Sequence, residues 1–114
     1  MSIRDEPLDE KIWLVTISGR LDQSQSDLLQ TLLHNLLEDG HLELIIDLTE
    51  VSYINSGGLR CLVTGWREAN KLGGQLVLSC LNSRISEIFS TVGFDKVFHI
   101  FDTREQAKQH FSLL

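Results

Sequence analysis

Short apolar runs alternate along the chain with longer segments in which apolar residues recur every three or four positions. Ile12 to Ser18 reads Ile-Trp-Leu-Val-Thr-Ile-Ser and stops at Gly19, a β-branched run that predicts a central or near-central strand. After Gly19-Arg20-Leu21-Asp22, the polar stretch Gln23 to Ser26 supplies a helix start. Leu28, Leu29, Leu32, Leu33, Leu36 and Leu37 then build a leucine face until Gly40. His41 to Leu48 is almost unbroken in Leu42, Leu44, Ile45, Ile46 and Leu48, the pattern of a strand covered on both faces, and is expected at the sheet centre. Asp47, near the end of that run, is expected as a capping or turn residue.

The most regular periodicity follows Ser56. Leu59, Leu62, Val63, Trp66, Ala69 and Leu72 obey helical spacing up to Gly73-Gly74 and should face a sheet. Gln75 to Cys80 predicts a further strand and Arg84 to Val92 a short helix with Ile85, Ile88 and Phe89 inward. Val97 to Phe101 predicts a last strand, and a terminal helix from Thr103 presents Ala107, Phe111 and Leu114 on one side. Residues 1–10 are acidic and carry the only proline, Pro7, which supports an edge strand or a loosely held arm. Strands alternating with helices in this way imply an α/β layer fold with mostly right-handed crossovers, whose functional rim lies at the strand C-terminal ends, where Ser56 falls. No repeat or linker interrupts the pattern, so a single domain over residues 1–114 is expected.

Composition narrows the functions. With 114 residues, 42% of them hydrophobic, the chain can bury a core without disulfides or a structural metal. A formal charge of −6 removes the broad basic footprint that phosphate-backbone binding needs, so no nucleic-acid partner is expected. The start lacks the basic and apolar segments of a secretory signal, and no apolar run approaches the ~20 residues needed to cross a bilayer. A cytoplasmic protein without membrane insertion is the expectation. Cys61 and Cys80 fall inside predicted elements without metal-type spacing and read as buried reduced thiols. His34, His41, His99 and His110 are scattered, so no metal site and no cofactor is expected, and surface or turn roles are the default.

The chemistry concentrates in Tyr53-Ile54-Asn55-Ser56-Gly57-Gly58-Leu59, where an apolar stretch gives way to an amphipathic helix. A hydroxyl at Ser56 would stand among unpaired backbone N–H groups at the positive end of a helix dipole, a setting that favours added negative charge. Two enzymatic look-alikes fail. Ser56 sits on a strand-to-helix turn but lacks the Gly-x-Ser-x-Gly elbow and a marked base. Cys61 and Arg67 have a phosphatase-like spacing, but the interval between them is helix and not a phosphate-cradling loop. No catalytic residues are assigned and no enzymatic activity is expected.

Residues 47–59 read Asp-Leu-Thr-Glu-Val-Ser-Tyr-Ile-Asn-Ser-Gly-Gly-Leu. This stretch resembles the signature of the STAS domain family, and within it the anti-sigma factor antagonists, at Asp47, Leu48, Thr49, Val51, Tyr53, Ile54, Ser56, Gly58 and Leu59. The resemblance extends to Gly19-Arg20-Leu21-Asp22 and to Arg84-Ile85 through Phe98. It implies a single α/β domain with a mixed sheet of four to five strands and about four helices. It also implies a partner-switching protein that binds an anti-sigma factor serine kinase while Ser56 is unmodified, is released when Ser56 is phosphorylated, and is reset by a PP2C-type phosphatase. A monomer or weak dimer is expected.

Asn55 stands where the family usually has aspartate, and Gly57 where it usually has serine or threonine. Asparagine can still cap a helix, while Gly57 leaves Ser56 as the sole acceptor in the turn and lets another backbone approach closely. Near Ser56 the amides of Gly58 and Leu59 are expected to favour a phosphate. Arg60, Thr64, Arg67 and Lys71 share the helix face opposite the apolar stripe; spacing alone describes a solvated face, and the resemblance implies a basic docking ridge. Asp22 is expected on the same rim, orienting the Ser56 hydroxyl or touching the partner. The alternative reading is a constitutive scaffold, for example in a phospholipid-transport complex, with Ser56 as a helix cap.

Overall fold

The computed structural model describes residues 2–113. In chain order it contains β1 (Ser2–Pro7), β2 (Ile12–Leu21), α1 (Gln23–Glu38), β3 (Glu43–Ile54), α2 (Ser56–Lys71), β4 (Gln75–Ser79), α3 (Ser83–Val92), a 3-10 turn (Phe94–Lys96), β5 (Ile100–Phe101) and α4 (Arg104–Ser112). The five strands form one mixed sheet in sequence order. β1 is an antiparallel edge strand on β2, and β2, β3, β4 and β5 run parallel. β3 lies at the centre, where its apolar run placed it.

Both faces of the sheet are covered, which is why the central strands read as continuous hydrophobic runs. On one face Val15, Ile17, Leu44, Ile46, Leu76 and Leu78 meet the inner sides of α1, α2 and α3 in the main core. On the other, Ile12, Leu14, Ile45 and Val77 pack against Ala107 and Phe111 of α4. A strand presents alternate side chains to opposite faces, so each of these strands serves both clusters.

Several expectations are corrected. β3 does not end near Leu48 but runs on to Ile54, so Asp47 is a mid-strand residue, 1% exposed, and not a turn. Its carboxylate accepts from the Thr49 amide and hydroxyl at 2.8 and 2.6 Å and is paired with Arg104. The expected last strand shrinks to Ile100–Phe101, because Val97 and Phe98 lie in the bend that closes the 3-10 turn Phe94–Lys96, with the Phe94 and Phe98 rings packed on Phe89. Leu28 is largely exposed and Leu72 half exposed at the end of α2, so neither belongs to its helix's buried stripe. Cys80 lies beyond β4, partly exposed and with φ +62, so only Cys61 is a buried thiol within an element. Leu114 lies outside the described residues.

Candidate functional site

Two parallel strands deliver two helix starts side by side. Leu21 and Ile54 are in register at the ends of β2 and β3, and each is followed by one extended residue and then a helix. Those extended residues, Asp22 and Asn55, have nearly the same backbone, φ −117 and ψ −173 against φ −116 and ψ −173, and each is an N-cap. Asp22 accepts from the Ser24 amide at 3.1 Å and hydroxyl at 2.6 Å. Asn55 accepts from the Gly58 amide at 3.2 Å, and its carbonyl takes the Leu59 amide at 2.9 Å. Capping of this kind satisfies donors that a helix cannot satisfy itself.

Ser56 is therefore the first residue of α2 and not its cap. It is exposed, and among the described residues its hydroxyl makes no hydrogen bond. The amides of Gly58 and Leu59, expected to favour a phosphate, are already taken by Asn55. The N–H groups of Ser56 and Gly57 have no partner among the described residues, so an anion at Ser56 would lean on these two and on the helix dipole.

The glycines serve the helix seat. A Cβ on Gly58 would stand 2.4 Å from the Leu21 carbonyl oxygen, so α2 rests directly on the end of β2. Gly58 is buried and offers no surface of its own. The backbone that approaches Gly57 belongs to α1, since a Cβ there would lie 3.3 Å from the Gln23 Cα. Together these contacts hold the starts of α1 and α2 against each other and set Ser56 beside Asp22 on one rim.

Asp22 does not orient the Ser56 hydroxyl. Its carboxylate is engaged by Ser24, whose hydroxyl and amide, with Arg20 nearby, hold the carboxyl below its ordinary value. On α2, Arg60, Arg67 and Lys71 are exposed and make no ion pair among the described residues, whereas the Thr64 hydroxyl donates back to the Arg60 carbonyl at 3.0 Å. The ridge is thus three cations with a threonine turned onto its own helix.

The enzymatic look-alikes find no support at the rim. Cys61 is buried and donates to the Ser26 carbonyl at 3.3 Å, and burial pushes its thiol up to about 11, far from a thiolate. The four histidines are occupied elsewhere: His34 with Glu68, His41 stacked on Trp13, and His99 beside His110, which meets Gln75. Among the described residues no cluster of three His, Cys, Asp or Glu side chains could hold a metal ion. No helix among them is long and apolar enough to cross a membrane.

Sequence reasoning missed two features. Arg20 lies over the Tyr53 ring, 4.1 Å from its centroid, and Asp47 on β3 meets Arg104 at the start of α4. The first depends on which strands pair and in what register, the second on where α4 docks on the sheet, and no local spacing signals either.

A family model described as STAS domain matches residues 7–107. An anti-sigma-B factor antagonist of Staphylococcus aureus is 26% identical over 96 residues, which span 84% of this chain and 89% of that protein. The fold is similar to that of the Bacillus anti-sigma factor antagonist SpoIIAA in its unphosphorylated form, with TM-score 0.79, 16% identity and coverage of 99% and 100%. The phosphorylated form of SpoIIAA gives TM-score 0.77 and 16% identity, with coverage of 96% and 99%.

Proposed function

The chain belongs to the STAS domain family, and from that premise we propose that it is an anti-sigma factor antagonist switched by phosphorylation of Ser56. In the unmodified state it binds an anti-sigma factor serine kinase through Asp22, Asn55, Ser56, Gly57, Arg60, Thr64 and Arg67, with Gly58 seating the helix beneath them. Phosphorylation by that kinase releases it, and a PP2C-type phosphatase restores it. The observation that carries this reading is the division of work at the helix start: Asn55 caps α2, which leaves the exposed Ser56 hydroxyl without a structural duty.

The energetics suit a switch. A phosphoserine adds about −1.5 to −2 charges and three acceptor oxygens. In a desolvated contact an unpaired dianion costs about 2 to 5 kcal/mol, roughly 30- to 4000-fold in affinity. In the free chain the same group meets the unpaired amides of Ser56 and Gly57 and the helix dipole, which favour an exposed anion by about 0.3 to 1 kcal/mol. Binding changes while the fold stays.

Incubation with candidate kinases and ATP, followed by intact mass, should show one added phosphate that Ser56→Ala abolishes. Ser56→Asp should weaken kinase binding by at least about 30-fold, the lower end of the range expected for a buried unpaired charge. A chain that gains no phosphate, and whose Ser56→Asp form binds as tightly as the parent, would instead be a constitutive scaffold.

A further inference from the structure

We propose that Arg20, braced on Tyr53, is a fixed carboxylate-binding anchor in the face that the chain offers its kinase partner, and that the partner presents an acidic side chain there. The proposal rests on the reading of the rim given above. β4 ends at Ser79, opposite Asp47, so β3 from Leu48 to Ile54 continues past it, paired only with the end of β2. Arg20 and Tyr53 stand opposite each other at the tip of this ladder. Their neighbours Leu21 and Ile54 are buried in the main core, so the strand alternation sends Arg20 and Tyr53 to the other side. There the cluster around α4 is built on Ile12, Leu14, Ile45 and Val77 and does not reach them.

The guanidinium is held but unspent. Its carbon lies 4.1 Å from the Tyr53 centroid, the Arg20 side chain is 63% exposed, and its Nε stands 3.8 Å from the Asp22 carboxylate, beyond hydrogen-bonding distance. Stacking over the ring and attraction to Asp22 restrict the side chain before any partner arrives, which lowers the ordering cost of binding. The guanidinium fork keeps its donors for a bidentate carboxylate. Arginine and tyrosine are also the residue types that concentrate binding energy at interface centres.

Charge sets the sign of the partner. The chain carries −6 overall, yet where α1 and α2 begin Arg60 is an exposed cation without an ion-pair partner among the described residues, and Arg20 stands two residues before the N-cap of α1. An acidic side chain fits these cations, while the acidic remainder of the chain repels an acidic surface and so confines the contact to this end.

The test uses the kinase that phosphorylates Ser56, with calorimetric affinities for the unphosphorylated chain. Arg20→Ala should bind about 10- to 100-fold more weakly, the range of an interface anchor. Arg20→Lys, which keeps charge but loses the fork, and Tyr53→Leu, which removes the brace, should each lose roughly 3- to 10-fold. Arg4→Ala, which breaks the surface pair with Glu50 on the same sheet, should bind like the parent. Urea midpoints verify that each variant is folded. If Ser56→Asp loses binding while Arg20→Ala stays within twofold of the parent, the anchor is overturned and the switch stands. If the parent itself binds no kinase, both fall.

Discussion

Replacing Gly58 by alanine should damage the seat of α2 far more than the same change one residue earlier. An added Cβ at Gly58 would lie 2.4 Å from the Leu21 carbonyl oxygen, 2.9 Å from the Leu21 Cγ and 3.0 Å from the Ile54 Cγ1. An ordinary carbon-to-oxygen contact is about 3.3 Å or more, so roughly 1 Å must open against the backbone of β2, which cannot rotate away. Overpacking of this kind costs about 1 to 3 kcal/mol, and a rigid carbonyl puts the cost in the upper part of that range. Alanine returns at most about 1 kcal/mol of helix propensity, less in a first turn. The expected net loss is about 1 to 2 kcal/mol.

At Gly57 the nearest atoms to a Cβ are Asn55 Oδ1, Gln23 Cα and Gln23 Cβ, all at 3.3 Å. A few tenths of an ångström of give suffices, and the gain in propensity roughly cancels it, leaving Gly57→Ala within about 0.5 kcal/mol of the parent. Urea denaturation measures both, with an unchanged slope confirming that the midpoint shift is one of stability. A Gly58→Ala protein as stable as the parent, or a Gly57→Ala protein that is the weaker of the two, would refute the assignment of Gly58 as the point where α2 rests on β2.

Two further outcomes follow from the polar contacts. Burial pushes the Asp47 carboxyl up, but the Thr49 hydroxyl and amide together with Arg104 outweigh it and hold the carboxyl below its ordinary value. A depressed folded value contributes stability above the unfolded pKa near 4 that disappears as the pH falls through the folded one. Arg104→Ala should therefore cost about 1 to 3 kcal/mol at neutral pH, less than a fully buried pair because the Arg104 side chain is 47% exposed. That cost should shrink as the pH falls through the acid range in which Asp47 protonates; urea midpoints from neutral pH down to the acid limit of the fold would show it, and a pH-independent difference would contradict it. Asn55→Ala should lose about 0.5 to 2 kcal/mol with the cap to Gly58, while Asn55→Asp should keep the cap and gain a few tenths from the helix dipole, read from thermal melts.

Much of the architecture was legible because burial and local periodicity agree. Ile12 to Ser18 is buried on both faces, and the leucine-rich α1 and the stripe of α2 each bury one side at the helical period. β3 was cut short because Thr49 and Glu50 are polar, the usual mark of a turn, although here they are exposed positions on a ladder that outruns β4. Val97 and Phe98 misled in the opposite sense. Phe98 is apolar because it packs against Trp66, Phe89 and Phe94 from the bend after the 3-10 turn, and no ladder requires it. Asp47 reaches Arg104 across 57 positions of sequence, a separation at which spacing carries no signal.

The same limit explains why a serine at a predicted helix start could be read either as a cap or as a switch. The two roles differ by one residue of register, less than the accuracy with which a helix boundary is read from a sequence. The paired starts of α1 and α2 remove the cap reading, because both helices place the cap on the last extended residue, Asp22 or Asn55, and leave the next, Gln23 or Ser56, exposed. The two departures from the family signature then acquire physical roles: Asn55 retains the cap without a charge, and Gly57 admits the backbone of α1. Neither occupies the Ser56 hydroxyl. What they alter is its surroundings, a rim with one negative charge fewer and no second hydroxyl, and hence the balance that the proposed phosphate would meet between the unpaired amides of Ser56 and Gly57 and the carboxylate of Asp22.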